Sequence, residues 1–410
     1  MKTLMLYCLW LPFTIMACKN NSMNPEEDNR PNLRTLSSQE KEIVSSSNAF
    51  AFDLFQALEA QEEGKNLFFS PLSVGFALHM AINGASGETK ENMKEVLGQH
   101  TLSDLQANQA VKDLTELLLS MDKKTCLDIA NSVWYDDQLT LRDDFSERLE
   151  AYFDGKIAGL DFKSPTAKET INQWVEEKTQ EKIKQLVSEV KESDRMFLIN
   201  AIYFKAQWAQ QFDKEKTAHS EFTLENGQVK EVPMMSAKST KLSLYQDERF
   251  QLVEIPYGNG QFSMTVLLPQ KGHTTQEIME LLNEESLKNW LNQSTTVEKS
   301  LYLPRFKMAY KVKLNTVLES MGMALPFSEQ ADFSGFFREA TGQQLRIDRV
   351  IHQSFIEVDE EGTEAAAATN TGVGVTSINL PVMINRPFVF LIREKHSGSV
   401  LFAGKLMDPS

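Results

Sequence analysis

The chain has 410 residues, of which 41% are hydrophobic and 24% are charged, proportions that are ordinary for a folded soluble protein. The formal net charge of −15 argues against a nucleic acid as partner, because binding to phosphates requires clustered lysine and arginine. The sequence contains no internal repeat and no central linker rich in proline, glycine and serine. We therefore predict a single large domain.

Residues 1–17 have the pattern of a secretion signal, a lysine followed by an apolar run that is too short to span a bilayer as a stable helix. Cys18 follows, and residues 15–18 (IMAC) resemble the lipobox of bacterial lipoproteins, in which the cysteine is lipidated and becomes the first residue. Cleavage nearby without a lipid is the alternative. Residues 18–37 are polar. They are predicted to be a tether that joins the protein to the cell envelope through the lipid anchor alone. Without the lipid, the protein is predicted to be secreted.

The first half of the chain is predicted to be mainly helical. Apolar residues recur at helical spacing, and a serine stands at several predicted helix starts. Ser70 followed by Pro71 is typical of an N-cap with proline at the first helical position. The predicted helices are 38–60, 71–85, 86–98, 102–119, 143–153 and 167–187.

Strands dominate the second half, so the predicted fold class is α+β. Residues 196–208 form a long apolar strand with Asn200 inside it, and the strand at 345–358 contains His352. Both polar side chains need a hydrogen-bond partner if they are buried. Further strands are predicted at 66–69, 125–135, 382–392 and 399–406, with helices at 275–291 and 315–321. Residues 222–268 are predicted to be β-rich with turns at 226–227 and 258–260, and residues 301–312 to form a pair of strands.

No motif in the sequence predicts catalysis. None of the six histidines stands in the H-E-x-x-H spacing of a zinc protease. The glycine patterns of nucleotide-binding loops and of the nucleophile elbow are also absent from the sequence. We therefore predict neither an enzyme, nor a metal site, nor a cofactor.

Residues 358–377, VDEEGTEAAAATNTGVGVTS, suit neither a core nor an ordinary turn. The alanine run favours a short helix, but the threonines and glycines that follow would end it. A linker of small residues is the second interpretation. A β-strand is the third, because alternate positions would then form one face of small or β-branched side chains that could slide between two existing strands. That face comprises Thr363, Ala365, Ala367, Thr369, Thr371, Val373 and Val375.

Five longer segments resemble the serpin family of protease inhibitors. They lie in the order that the family has and together cover roughly residues 38–409. The resemblance implies a serpin fold of three β-sheets and about nine helices, in one domain of residues 38–410. It also implies an exposed reactive-centre loop at about residues 360–380. The segments are NLFFSPLSVGFALHMAINGASGETKENM, FLINAIYFKAQWAQQF, LYLPRFKM, EVDEEGTEAAAAT and NRPFVFLIREKHSGSVLFAGKLMDP.

The resemblance implies inhibition of serine proteases by a monomeric suicide substrate. In this family the protease cuts the loop, and the loop then inserts into the central sheet as a new strand while the protease is still held as an acyl ester. A non-inhibitory binding protein and a cleavable decoy are the alternatives. The residues that match the hinge of inhibitory members are Glu360, Glu361, Gly362, Thr363, Ala365, Ala366, Ala367 and Ala368.

The resemblance also assigns two groups of supporting residues. A buried polar cluster is expected beneath the strands that open. At the insertion point, Glu360 and Arg305 are expected to form a charge pair beside Trp208, where the family often has lysine in place of the arginine. The expected cluster consists of Ser70, Ser73, Asn200 and His352.

Counting back from residues 385–388 at the family's loop length places the scissile bond between Thr376 and Ser377, with Val375 as the alternative residue before the bond. The residue before the bond fills the main pocket of the protease, and both Thr376 and Val375 are small, β-branched and uncharged, so they fit the shallow pockets of elastase-like or subtilisin-like proteases. No lysine or arginine lies between Glu360 and Asn385, which disfavours trypsin-like enzymes.

The lipid anchor can be tested by fractionation of cells that express the chain. If Cys18 is acylated, Cys18→Ala should move the protein from the membrane fraction to the soluble fraction. Ser22→Ala, a change in the same polar segment, is the matched control and should leave the protein at the membrane. Equal partitioning of wild type and Cys18→Ala contradicts the anchor.

Overall fold

A computed structural model describes residues 29–31, 33–153, 155–338, 345–363 and 380–410. Nine α-helices occur within these residues, and no helix among them is both long and apolar enough to cross a membrane. The helices are α1 Ser38–Gln61, α2 Pro71–Ile82, α3 Gly87–Val96, α4 Asp104–Ser120, α5 Asp143–Tyr152, α6 Ala167–Lys178, α7 Thr275–Leu281, α8 Glu284–Gln293 and α9 Asn315–Ser320.

The strands form two hydrogen-bonded sheets, one of six and one of nine strands. The strands are β1 Leu67–Phe69, β2 Cys126–Asp136, β3 Lys156–Leu160, β4 Met196–Gln207, β5 Ala218–Thr223, β6 Val229–Gln246, β7 Phe250–Pro256, β8 Phe262–Pro269, β9 Thr295–Pro304, β10 Phe306–Lys313, β11 Arg349–Val358, β12 Gly362–Thr363, β13 Val382–Met383, β14 Phe388–Glu394 and β15 Val400–Leu406.

The six-stranded sheet has the order β10-β11-β12-β4-β2-β3. Over most of their common length β11 and β4 are direct neighbours, since residues 349–354 pair in parallel with residues 197–202. We call this parallel contact the seam. At one end of the seam, the two residues of β12 lie between β11 and β4 and pair antiparallel with both.

The nine-stranded sheet runs β1-β15-β14-β8-β7-β6-β9-β13, and β5 pairs with β6 outside this order. The long strand β6 pairs with β5 in its first part and with β7 in its last part. A bulge between Ala237 and Thr240, opposite β9, separates the two parts. Two of the three expected sheets thus share β6 and form one continuous network.

Helix α2 lies between the two sheets and contacts β4 on one side and β15 on the other. Its side chains are apolar on nearly every side, which is typical of a helix buried all round. As predicted, it begins at a Ser70 cap that accepts from Ser73 N, with Pro71 in the first turn. This capped start places the backbone N of Ser70 and the hydroxyl of Ser73 against the six-stranded sheet, while the Ser70 hydroxyl donates to Leu401 O of β15.

Two predicted helices are shorter in the structure. The helix predicted at 167–187 ends at Lys178, and Gln180 and Glu181 then adopt φ angles of 50° and 62°. The apolar residues that follow are buried against the sheet as an irregular segment, so their helical spacing was misleading. The helix predicted at 275–291 is two helices, because Asn283 caps a new start at Ser286 N.

The strand predicted at 382–392 is also divided, into β13 and β14. Pro387 lies between them and offers no backbone donor to a ladder. Before α1, residues 29–31 and 33–37 lie against the domain, and we call them the N-terminal strap.

Candidate functional site

The candidate site is the place where the predicted loop enters the six-stranded sheet. Gly362 and Thr363 lie opposite Gln207 and Ala206 of β4, and Thr363 also lies opposite Val358 of β11. The first two residues of the hinge that follow the glutamates are thus already part of the sheet. The remaining hinge residues, from Ala365 to Ala368, lie outside the described residues.

Gly362 is required at its position by close backbone approach. A Cβ atom on it would lie 2.1 Å from Ala206 O and 2.6 Å from Gln207 Cα, both on the neighbouring strand. Backbone atoms of a central strand cannot move aside at low cost. The entrance between β11 and β4 therefore accepts only glycine here.

The segment that follows β4 binds the backbone of residues 359–361 by three hydrogen bonds. Trp208 N donates to Glu361 O at 2.9 Å, and Phe212 N donates to Glu360 O at 2.8 Å. The indole Nε1 of Trp208 donates to Asp359 O at 2.9 Å. Trp208 thus contacts both sides of the turn that leads from β11 into β12.

Two hinge carboxylates are buried beside cations. Glu360 is 4% exposed, accepts from Thr217 Oγ1 at 2.6 Å and lies 3.6 Å from Arg305 Nη1. Glu361 is 4% exposed and pairs with Lys214 Nζ through one carboxylate oxygen, while the other oxygen is buried and has no partner among the described residues. A buried carboxylate is costly without compensation, so these cations hold the hinge at one position.

Burial also raises the pKa of Asp359, next to these two glutamates. Its Oδ1 accepts from the backbone N atoms of Glu361 and Gly362 at 2.9 and 3.1 Å, and these bonds oppose the shift. The carboxylate therefore stabilises the turn between β11 and β12 by accepting hydrogen bonds from its backbone.

Thr363 is 1% exposed, and its hydroxyl lies 2.8 Å from the hydroxyl of Tyr257. Tyr257 is fully buried and stacks on Trp208, with ring centroids 4.4 Å apart. Burial raises the pKa of Tyr257, so its hydroxyl stays protonated and able to donate. The first inserted side chain thus faces a pocket that is matched to a small hydroxyl.

The four residues expected in a polar cluster are brought together at the seam. His352 lies opposite Asn200 in the parallel pair, with Nδ1 at 2.5 Å from Asn200 Oδ1, and its Nε2 accepts from Ser70 N at 3.1 Å. Asn200 Nδ2 donates to Ser73 Oγ and, at 2.5 Å, to Asn131 Oδ1. Both polar residues that stood out in apolar strands have partners.

His352 is held as a neutral ring in this cluster. Burial lowers its pKa to about 3. Because Ser70 N donates to Nε2, the single proton must lie on Nδ1, which donates to Asn200. His79 of α2 is similar, since burial lowers its pKa to about 4, and its ring contacts Gln99 and Asn108.

Sequence reasoning missed several residues of the site. Asn131 stands at a buried position of β2, and an asparagine in an apolar strand was a usable signal. No such signal marks Tyr257, Thr217 or Lys214, since each is an ordinary residue for a strand end or a turn. Besides Ala365 to Ala368, four predicted residues lie outside the described part of the chain: Cys18, Val375, Thr376 and Ser377.

The domain is α+β, and residues 362–363 pair with both central strands of its six-stranded sheet. Comparison with known proteins identifies the family to which such a domain belongs. The model of the family Serpin (serine protease inhibitor) matches residues 45–409. Serpin B11 of Homo sapiens is 34% identical, over 89% of this chain and 99% of its own length. The chain belongs to the serpin family, and the predicted α+β serpin fold is confirmed.

Two further comparisons agree. A serine protease inhibitor of Cyanea capillata is 33% identical, over 89% of this chain and 98% of its own length. The crystal structure of human thyroxine-binding globulin, solved with its hormone bound, superposes with a TM-score of 0.84 at 28% identity. That alignment covers 91% of this chain and 100% of the globulin.

The two buried histidines predict a pH dependence of stability. Each pKa is lowered on folding, so below about pH 6.5 the unfolded chain binds protons that the native state does not. The free energy of unfolding should therefore fall as the pH is lowered from about 6.5 towards 4, by up to about 1.4 kcal/mol per pH unit for each histidine.

Urea unfolding between pH 7 and pH 4 measures this slope. His79→Gln should flatten the slope, whereas His219→Gln, a change at an exposed position of β5, is the matched control and should leave it unaltered. An identical slope in wild type and His79→Gln contradicts the prediction.

Proposed function

We propose that this serpin inhibits serine proteases as a suicide substrate. A protease cuts the reactive-centre loop, stays bound as an acyl ester, and is carried along while the loop inserts between β11 and β4. The observation that supports this proposal most directly is the position of Gly362 and Thr363, which already occupy the first places of the new strand.

The hydrogen bonding of the central sheet supplies a driving force for insertion. At the seam, β11 and β4 form a parallel ladder, although β10 and β2 on either side pair antiparallel with them. An inserted strand that continues β12 would replace this one parallel ladder by two antiparallel ladders. It would thus add backbone hydrogen bonds of the more stable kind.

The polar cluster at the seam would keep most of its hydrogen bonds when a new strand replaces the parallel ladder. Opening the seam breaks the bond between His352 and Asn200, but each keeps a partner on a neighbouring element. His352 keeps Ser70 N, and Asn200 keeps Ser73 and Asn131. Because a buried polar group without any partner costs roughly 1–3 kcal/mol, these retained bonds lower the cost of opening.

Insertion would move the cut end of the loop a long way. The distance is about 45 Å for the residues from Thr363 to Thr376, at ~3.3 Å per residue of strand. A protease that is attached there as an acyl ester would be distorted before water completes the hydrolysis. A lipid on Cys18 would hold the inhibitor at the cell envelope during this reaction.

The proposed targets are elastase-like or subtilisin-like proteases, cut between Thr376 and Ser377. A shallow pocket accepts a small β-branched side chain, whereas a deep aromatic slot would be underfilled, at a loss of roughly 1–3 kcal/mol per missing methylene-sized piece. A pocket built around a buried aspartate would find no cation in the loop.

A binding protein without inhibitory activity is the second candidate function. Its support is the fold similarity to thyroxine-binding globulin, a protein solved with a bound hormone. A cleaved decoy is a third. Only the inhibitor forms an SDS-stable complex with a protease, so that complex separates the three.

The hinge predicts the outcome of a substitution at Thr363. Wild type should form an SDS-stable complex with an elastase-like protease. Thr363→Arg should instead be cut and released, because an arginine buried there without a partner costs several kcal/mol whenever the hinge lies in the sheet. The measurement is the number of moles of inhibitor consumed per mole of protease, which should rise severalfold.

Thr223→Arg is the matched control, since Thr223 is an exposed threonine of β5 away from the hinge. It should behave as wild type. An unchanged ratio for Thr363→Arg refutes insertion, and a wild type that is cut without a complex favours the decoy.

The scissile bond predicts the size of the released peptide. After complex formation with an elastase-like protease, mass spectrometry should find a C-terminal peptide that begins at Ser377. A start at Thr376 would support the alternative after Val375. A start at or before Gly372, or stronger inhibition of trypsin than of elastase, would contradict this part of the proposal.

A further inference from the structure

The N-terminal strap is bound to a built site at its first residue. Asn29 Nδ2 donates to Asp122 Oδ1 at 2.8 Å, and Asn29 Oδ1 accepts from Lys123 N at 3.0 Å. The backbone oxygen of Asn29 accepts from Asn259 Nδ2 at 2.9 Å. Both ends of the amide and the adjacent carbonyl are thus satisfied by the domain.

The carboxylate that binds Asn29 is itself buried and tightly enclosed. Asp122 is 2% exposed and also accepts from Lys124 N at 2.9 Å and from Asn259 N at 3.0 Å. Gly258 has a φ of +43°, and a Cβ atom on it would lie 2.0 Å from Asp122 Oδ2. The turn between β7 and β8 therefore closes directly on this carboxylate.

A second contact holds the other end of the strap. The guanidinium of Arg34 donates to both carboxylate oxygens of Glu40, at 2.8 and 2.5 Å, and to Asp113 O at 3.0 Å. The backbone oxygen of Arg34 lies 2.6 Å from His396 Nε2, and Leu36 is only 8% exposed. The strap is thus bound at two separate points.

The turn that binds the strap also grips the hinge. Gly258 N donates at 2.8 Å to the backbone oxygen of Gln207, the residue of β4 that lies opposite Gly362. Tyr257, at the start of the turn, stacks on Trp208 and places its hydroxyl 2.8 Å from that of Thr363. One short turn therefore contacts both the strap and the inserted hinge.

We infer that binding of the strap holds the turn between β7 and β8 in the conformation that grips the hinge, and so favours the partly inserted state. Coupling of this kind requires that the strap bind the gripping conformation better than a released one. Asn259 provides the difference, because its backbone N donates to Asp122 Oδ2 while its side chain donates to Asn29 O, so release of the turn would break both bonds. The inference deepens the proposed function, since a hinge held in the sheet has completed the first step of insertion.

Hydrogen exchange of the intact full-length protein tests the coupling without a protease. The amides of Trp208 and Phe212 report whether the hinge is held in the sheet, because they donate to the carbonyls of the hinge glutamates. Asn29→Ala should speed their exchange on the order of tenfold, the effect of losing roughly 1.4 kcal/mol of hydrogen bonding. It should also raise the moles of inhibitor consumed per mole of protease.

Asn226→Ala is the matched control, since Asn226 is a surface asparagine whose side chain accepts from Gln228 N at 3.0 Å in a different turn. It should leave the exchange of both amides unchanged. Faster exchange only next to Asn29, or an equal effect of the control, overturns the coupling. A wild type that traps no protease overturns the proposed function instead and leaves the exchange result valid.

Discussion

The parallel contact between β11 and β4 is the interaction on which the rest of the structure depends. It is the weaker kind of strand pairing, and it lies between two antiparallel ladders, that of β10 with β11 and that of β2 with β4. The centre of the sheet is therefore hydrogen-bonded, but in the less stable of the two arrangements. The chain carries a candidate for the missing strand directly after β11.

Two buried carboxylates lie at the end of the seam, directly before the residues that enter the sheet. Glu360 and Glu361 cannot be satisfied by the sheet, so they remain beside Arg305 and Lys214 while the next two residues enter it. The two cations are about half exposed, so the pairs contribute little net stability, but they compensate carboxylates that would be costly to bury alone. In the proposed insertion, their positions determine which residue enters first and therefore which face of the new strand points into the core.

Much of the fold could be predicted from local signals. The capped start of α2, the length of α1 and the apolar run of β4 follow from residue type and spacing alone. The errors arose where buried apolar residues follow a helical spacing without forming one continuous helix. After Lys178 the apolar residues lie on the sheet in an irregular segment, and at Asn283 a local cap ends one helix and starts another within an unbroken apolar pattern.

The sequence by itself determined the family and the need of Asn200 and His352 for partners, because these depend on residue types in order along the chain, and it predicts the hinge from its small residues. Only the tertiary structure decided that Asn131 completes the polar cluster, that Lys214 and Thr217 hold the two glutamates, and that Tyr257 meets Thr363. These contacts join residues more than 60 positions apart, and their side chains are individually ordinary. Their roles come from the strand order that brings them together, which no local pattern specifies.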